Sequence, residues 1–432
     1  MVQTRPFPEL QLGTYACWLV SFVIVLASVR GFAVVHLGMP TGLVYTPMAA
    51  LAMTLAIFGY YHKGKLSDRR LVTLKNLIKL NLLFGIINMG VDGMLSVPPQ
   101  LGFLYAYFAP YVVFLFLLVP DRYLRAAVTM VSLAIGISVF ANFLDTLQGP
   151  AGIERVIEYN TKLRPEGFSA LRHAQGEGGV IFRAAGYTGS YHDSANILGL
   201  TATFFFISFL LMRKLVDLGL AMFSLINLIL TQSAANIGVT AINLLVFSIY
   251  LILRSRTLSS YAYLAVGSLG LLAVFAFFGD ALWVLLSGLG REGDWGGMLK
   301  GIDSNLITSE FGVILFGHGV AFNAVMTGNE IAHITLTGQL GLIHAFLFFW
   351  LLLYPALRFW RVRKTCAEAL PSVAAVSFGF LSLVHYNSLT KVTSVFAFFA
   401  LYAMCLKCVL ACENSRKSQT ANSSARKSPI VG

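Results

Sequence analysis

Stretches of about twenty consecutive apolar residues recur along the whole chain, and no other feature limits its folds so strongly. A helix of that length crosses the hydrocarbon core of a bilayer. Lipid offers no partners to backbone N–H and C=O groups, so spanning segments close their hydrogen bonds internally. Apolar runs without strict alternation read as helices, and the fold class is an all-α, polytopic membrane bundle. Charge agrees with this: 12% of residues are charged, about half the usual share of a soluble domain.

Twelve spans are predicted. They fall near residues 14–35, 40–61, 76–96, 101–119, 124–145, 194–212, 215–231, 236–253, 262–287, 332–357, 371–387 and 392–411. The first lacks a small-residue cleavage site and runs at once into the second, so it reads as a retained helix. Residues 1–411 form one transmembrane domain, and residues 412–432, rich in Ser, Asn and Lys, read as a disordered basic cytoplasmic tail.

Basic residues set the expected orientation. Lys63, Lys65, Arg69, Arg70 and Lys75 fill one connection, and Arg358, Arg361, Arg363 and Lys364 another. Arg122 with Arg125, Arg213 with Lys214, and Arg254 with Arg256 mark the remaining alternate connections. This side holds 22 of the 31 Lys and Arg residues, so it is assigned to the cytoplasm together with both termini. The net charge of +12 follows from this topology and calls for no nucleic-acid partner. Membrane lipids are the expected surroundings.

Two connections are long, residues 146–193 and 288–331, and both fall on the outer side. Long loops of this kind usually carry function. The first holds Arg155, Lys162, Arg164, Arg172 and Arg183. A guanidinium grips phosphate oxygens in a bidentate fork, while a solvated amphipathic loop is the plainer account of most of these residues. Arg183 stands apart in VIFRAAGYTGSYHDSANILGL, a Gly-containing turn that leads straight into a span. His192, Asp193 and Asn196 open that helix, and a helix N-terminus beside an Arg suits an anion.

The second loop contains SGLGREGDWGGMLKG, with Arg291, and then LFGHGVAFN, with His318. Glu330 and His333 follow, three apart and so on one face if the tenth helix has begun there. Either can serve as a general base; an interfacial pair held by water is the alternative. Asn81, Asn88 and Asp92 share a face of one span, and Asn142 and Asp145 end another. Such groups bond helices together or line a pathway. Cys17, Cys366, Cys405, Cys408 and Cys412 read as small packing residues, since no His or carboxylate completes a metal site beside them.

Over residues 180–350 the chain resembles the O-antigen ligase and O-antigen polymerase superfamily of bacterial envelope glycosyltransferases. FRAAGYTGSYHDSANILGL is similar to that family's Arg-x-x-Gly turn followed by an Asn at a helix start, which matches Arg183, Gly186 and Asn196. TQSAANIGVTAINLLVF, LFGHGVAFN and LGLIHAFLFF resemble its helix-opening, Gly-x-Gly and Gly-containing segments. The family often has Ser-Arg where this chain has Ser233 and Ala234. Its motif His usually stands about eleven residues before a Gly; Gly341 is eleven after Glu330 and eight after His333.

The resemblance implies transfer of a glycan from an undecaprenyl diphosphate carrier, on the periplasmic side of the inner membrane, with no metal or other cofactor. Arg183, Asn196, His192, Arg164, Arg291 and His318 are then the substrate-binding set, and His333 or Glu330 the catalytic base. The acceptor is another glycan repeat in a polymerase, the expected reading, or a lipid core in a ligase. A lipid-glycan flippase or other transporter is the reading from a different class. A duplicated transporter often has a long central link, whereas here only RKLVD joins spans six and seven.

Overall fold

A computed structural model of the chain describes residues 71–91, 109–149, 191–255, 311–317, 332–384 and 392–425, with a few isolated positions besides. All regular structure among the described residues is helical. Ten α-helices follow in order: α1 (Val72–Val91), α2 (Val112–Phe116), α3 (Asp121–Thr146), α4 (Tyr191–Met212), α5 (Leu215–Leu230), α6 (Ala234–Ser255), α7 (Phe311–Phe316), α8 (Ala332–Val362), α9 (Leu370–Leu381) and α10 (Val392–Ala425). Among the described residues, five segments are long and apolar enough to cross a membrane: Asp121–Thr146, Tyr191–Met212, Ala235–Arg254, Leu336–Val362 and Ser394–Arg416. The expected spans near 40–61 and 262–287 lie outside the described residues, as do most of 14–35 and the first part of 101–119.

Helix α4 is the hub. It packs against α3, α5, α6, α9 and α10, and its side chains from Asp193 to Phe205 are all buried. Small residues permit this close approach. At Gly199 an added Cβ would lie 2.3 Å from the Phe378 ring of α9 and 2.8 Å from the Thr240 hydroxyl of α6. Helices α3 and α6 turn Ile137, Phe140, Ile242, Leu245 and Val246 outward instead, an apolar surface suited to lipid.

One end of the bundle gathers charge. Arg125 of α3 pairs with Asp217 of α5, which also accepts a 2.8 Å hydrogen bond from Ser208 of α4. Lys407 of α10 pairs with Asp121 of α3, and Arg358 of α8 with Glu413 of α10. Arg254 of α6 donates to the carbonyls of Arg363 and Lys364 at 2.6 and 2.8 Å. These contacts join the ends that the Lys and Arg count assigns to one side of the membrane.

Three elements depart from the expected spans. The stretch near 371–387 is a twelve-residue helix, α9, continued by a 3-10 turn, Ser382–Val384. Helix α10 extends to Ala425, where composition predicts a disordered tail. Adding a turn to an already packed helix avoids the cost of nucleation, and Lys, Arg, Gln and Ala tolerate it well.

The third departure is α8. Its backbone is non-helical at Gly341, with φ 75° and ψ 163°. The His333 and Phe349 rings are 5.3 Å apart, whereas sixteen residues of unbroken helix would separate them by about 24 Å. Residues 332–340 therefore fold back along the arm that follows Gly341, and α8 is a helical hairpin. The expected continuous tenth span beginning at 332 is corrected accordingly.

Candidate functional site

The hairpin determines where His333 sits. The sequence pattern places it at the outer mouth of a straight span. Instead its ring lies half-buried between Phe349 of the hairpin's long arm and Phe380 of α9, with centroids 5.3 and 5.0 Å away. The ring is also within hydrogen-bonding reach of the backbone at Phe380 and Leu383.

Asn196 reaches the same turn from the other side. It is buried on the second turn of α4, and its Nδ2 donates to the Ser382 hydroxyl at 2.7 Å. That hydroxyl donates in turn to the Gly379 carbonyl at 2.9 Å. Residues 380–383 thus bridge Asn196 and His333, which belong to separate segments of the chain. The first turn of α4 contributes buried Asp193 and Ser194 close by in sequence. His192 stacks on Tyr191 with ring centroids 3.9 Å apart.

The turn that holds Arg183 is anchored at two described positions. Ala184 N–H donates to the Leu230 carbonyl at the end of α5 at 3.2 Å. Gly186 has φ 64°, and a Cβ there would come within 2.7 Å of the Ser138 hydroxyl of α3. Only glycine meets both demands at low cost. Arg183 itself, Arg164, Arg291, His318 and Glu330 lie outside the described residues.

Other polar groups gather at this end. Where the resembled family often has an Arg, the start of α6 carries a neutral set: Asn236 donates to the Ser233 hydroxyl at 3.0 Å, and Ser233 N–H to Thr231 Oγ1 at 3.3 Å. Gln339, on the short arm just before Gly341, is 1% exposed, and neither end of its amide has a hydrogen-bond partner. Leaving such groups unpaired costs about 1–3 kcal/mol each. Its signal in the sequence was a lone amide within an apolar run. Deeper in the bundle, buried His344 of α8 stacks on Phe84 of α1 at 5.7 Å, and Asn81 donates to the Leu347 carbonyl at 3.2 Å. Asn81 therefore bonds helices together, one of the two roles open to it.

Chemically, the described part of the site offers two imidazoles, one carboxyl and several amides and hydroxyls. Among the described residues, no three His, Cys, Asp or Glu side chains are placed to hold a metal ion. The beginnings of α4 and of the hairpin both carry the positive end of a helix dipole. No protein-family model matches the chain, and no curated protein matches it significantly.

Proposed function

We propose that the chain is a membrane glycosyltransferase that polymerises lipid-linked oligosaccharide repeats at the outer face of the inner membrane. One observation carries this reading: Asn196 and His333, two described members of the candidate set, meet on one turn, residues 380–383. Beside them begin α4 and the re-entrant arm of α8. Helix starts are suited to anionic groups, here the diphosphate of an undecaprenyl carrier. In the reaction, the acceptor oxygen bonds to the anomeric carbon as the bond from that carbon to the diphosphate oxygen breaks. The hydroxyl proton passes to the base, and the carrier diphosphate departs.

The broken helix also favours a second reading, since transporters build substrate sites from discontinuous helices. Profiling lipid-linked glycans in a deletion strain separates the two. Single unpolymerised repeats at the outer face are the expected result. Repeats confined to the cytoplasmic face would support a flippase, and long unligated chains a ligase.

Orientation has its own test. Reporters fused at Gly176 and Gly296 should be active only outside, and those at Lys65 and Arg363 only inside. Inside activity at Gly176 would put the proposed site on the wrong face.

Arg183 should be sensitive to geometry as well as charge. Arg183→Ala should abolish chain extension, and Arg183→Lys should restore part of it, because the charge survives and the planar fork does not. The loss expected for the alanine variant is about 2–5 kcal/mol of binding. Glycan of normal length from fully inserted Arg183→Ala protein would remove this arginine from the site.

A further inference from the structure

The charged end of the bundle carries a feature that the proposed reaction does not use. Cys366 and Cys412 are joined as a disulfide, with their Cα atoms 5.7 Å apart across 46 residues of sequence. The sequence had suggested packing residues, and this pairing corrects that view. Cys366 lies just after α8 and precedes the short 3-10 turn Ala367–Ala369; Cys412 lies on α10. The bridge therefore ties the last helix to the α8–α9 connection. It sits beside the Arg358–Glu413 ion pair and the hydrogen bond from Arg416 to the Arg361 carbonyl.

Both oxidation states fit this position. The Cα separation is within the range of an unforced disulfide. The Cys366 sulfur lies 3.5 Å from the Cys408 carbonyl, which can accept an S–H once the bridge is reduced. Cys366 is buried, whereas Cys412 is partly exposed, so an oxidant reaches Cys412 first and Cys366 resolves. The other two described cysteines, Cys405 and Cys408, are free.

Compartment decides what the pair does. Under the orientation proposed above, this end faces the cytoplasm, where thiol pools keep ordinary cysteines reduced and persisting disulfides are rare. We infer that Cys366 and Cys412 are a reversible redox pair, reduced in the resting cell and oxidised by exchange with a small-molecule disulfide. The Cys412 thiolate attacks one sulfur of that disulfide and releases one small thiol. Cys366 then attacks the Cys412 sulfur of the mixed disulfide and releases the second. Two protein thiols and one external disulfide become one protein disulfide and two small thiols, and the two protons leave with the products.

The test uses the full chain in intact cells, with Cys17→Ser, Cys405→Ala and Cys408→Ala so that only the pair remains. Free thiols are blocked with N-ethylmaleimide, disulfides are reduced, and the freed thiols are tagged with a maleimide polymer that shifts gel mobility. No tag is expected at rest, two after a pulse of the thiol oxidant diamide, and none again after recovery. Adding Cys366→Ser should cut the diamide signal to one tag at most. Untagged protein after diamide would overturn the pairing. Two tags at rest would overturn the switch, and the Arg363 fusion then tells which premise failed. Activity outside would mean the orientation was wrong; activity inside would mean a standing cytoplasmic disulfide.

Discussion

Gly341→Ala should leave the chain poorly folded and inactive in glycan transfer. The backbone at Gly341 has φ 75° and ψ 163°, a region that is essentially closed to residues with a Cβ. Strain of that kind costs about 1–3 kcal/mol. Contact adds to it, because the new Cβ would lie 2.4 Å from Gly317 N, the Leu315 carbonyl oxygen and the Phe316 carbonyl carbon. All three are backbone atoms, so relief requires α7 to move off the hairpin. The control is Gly219→Ala on α5, where a Cβ meets nothing within 4 Å. That change should be neutral or stabilising by up to about 1 kcal/mol, since alanine is the better helix former. Thermal melting in detergent, read beside glycan length in cells, checks both variants. A Gly341→Ala protein that melts like the parent and still extends glycan would mean the hairpin is not required.

The hairpin also shows where sequence reasoning stopped. Apolar length identified α3, α4 and α6 to within a few residues, because a helix that crosses the bilayer must be about as long as the bilayer is thick. The same criterion merged the two arms of α8, since both are apolar and hydropathy carries no record of φ. Gly341 and Gly317 had been noted for their spacing, but their backbone-to-backbone contact depends on segments distant in sequence. The turn receiving Asn196 and His333 was invisible for a similar reason: Ser382, Phe380 and Leu383 look like ordinary residues of an apolar run. Asn196 itself was legible, because it opens an apolar helix beside Arg183 and matches the Asn of the resembled turn. The Cys366–Cys412 pairing joins positions 46 residues apart and had no local signature.

His333 faces two demands that substitution can separate. In the proposed reaction it takes the acceptor proton as the base. As a strut it must hold the short arm of α8 against α9 through the backbone at Phe380 and Leu383 and the ring of Phe380. His333→Ala removes both functions, so its failure alone would say little. His333→Gln keeps a polar N–H donor for the backbone carbonyls but cannot accept a proton near neutral pH. The expected result is a His333→Gln protein that melts close to the parent and binds undecaprenyl-diphosphate glycan, with turnover down about 10²–10⁴-fold, the usual share of a general base. At 1.36 kcal/mol per tenfold, that is about 3–5 kcal/mol of barrier. Were His333→Gln active and His333→Ala unstable, the imidazole would be a strut, and Glu330→Gln would be the next variant to assay for the missing base. If the double variant His333→Gln, Glu330→Gln also turned over at the parental rate, neither residue would be the base. The turn at 380–383 would then be a structural joint.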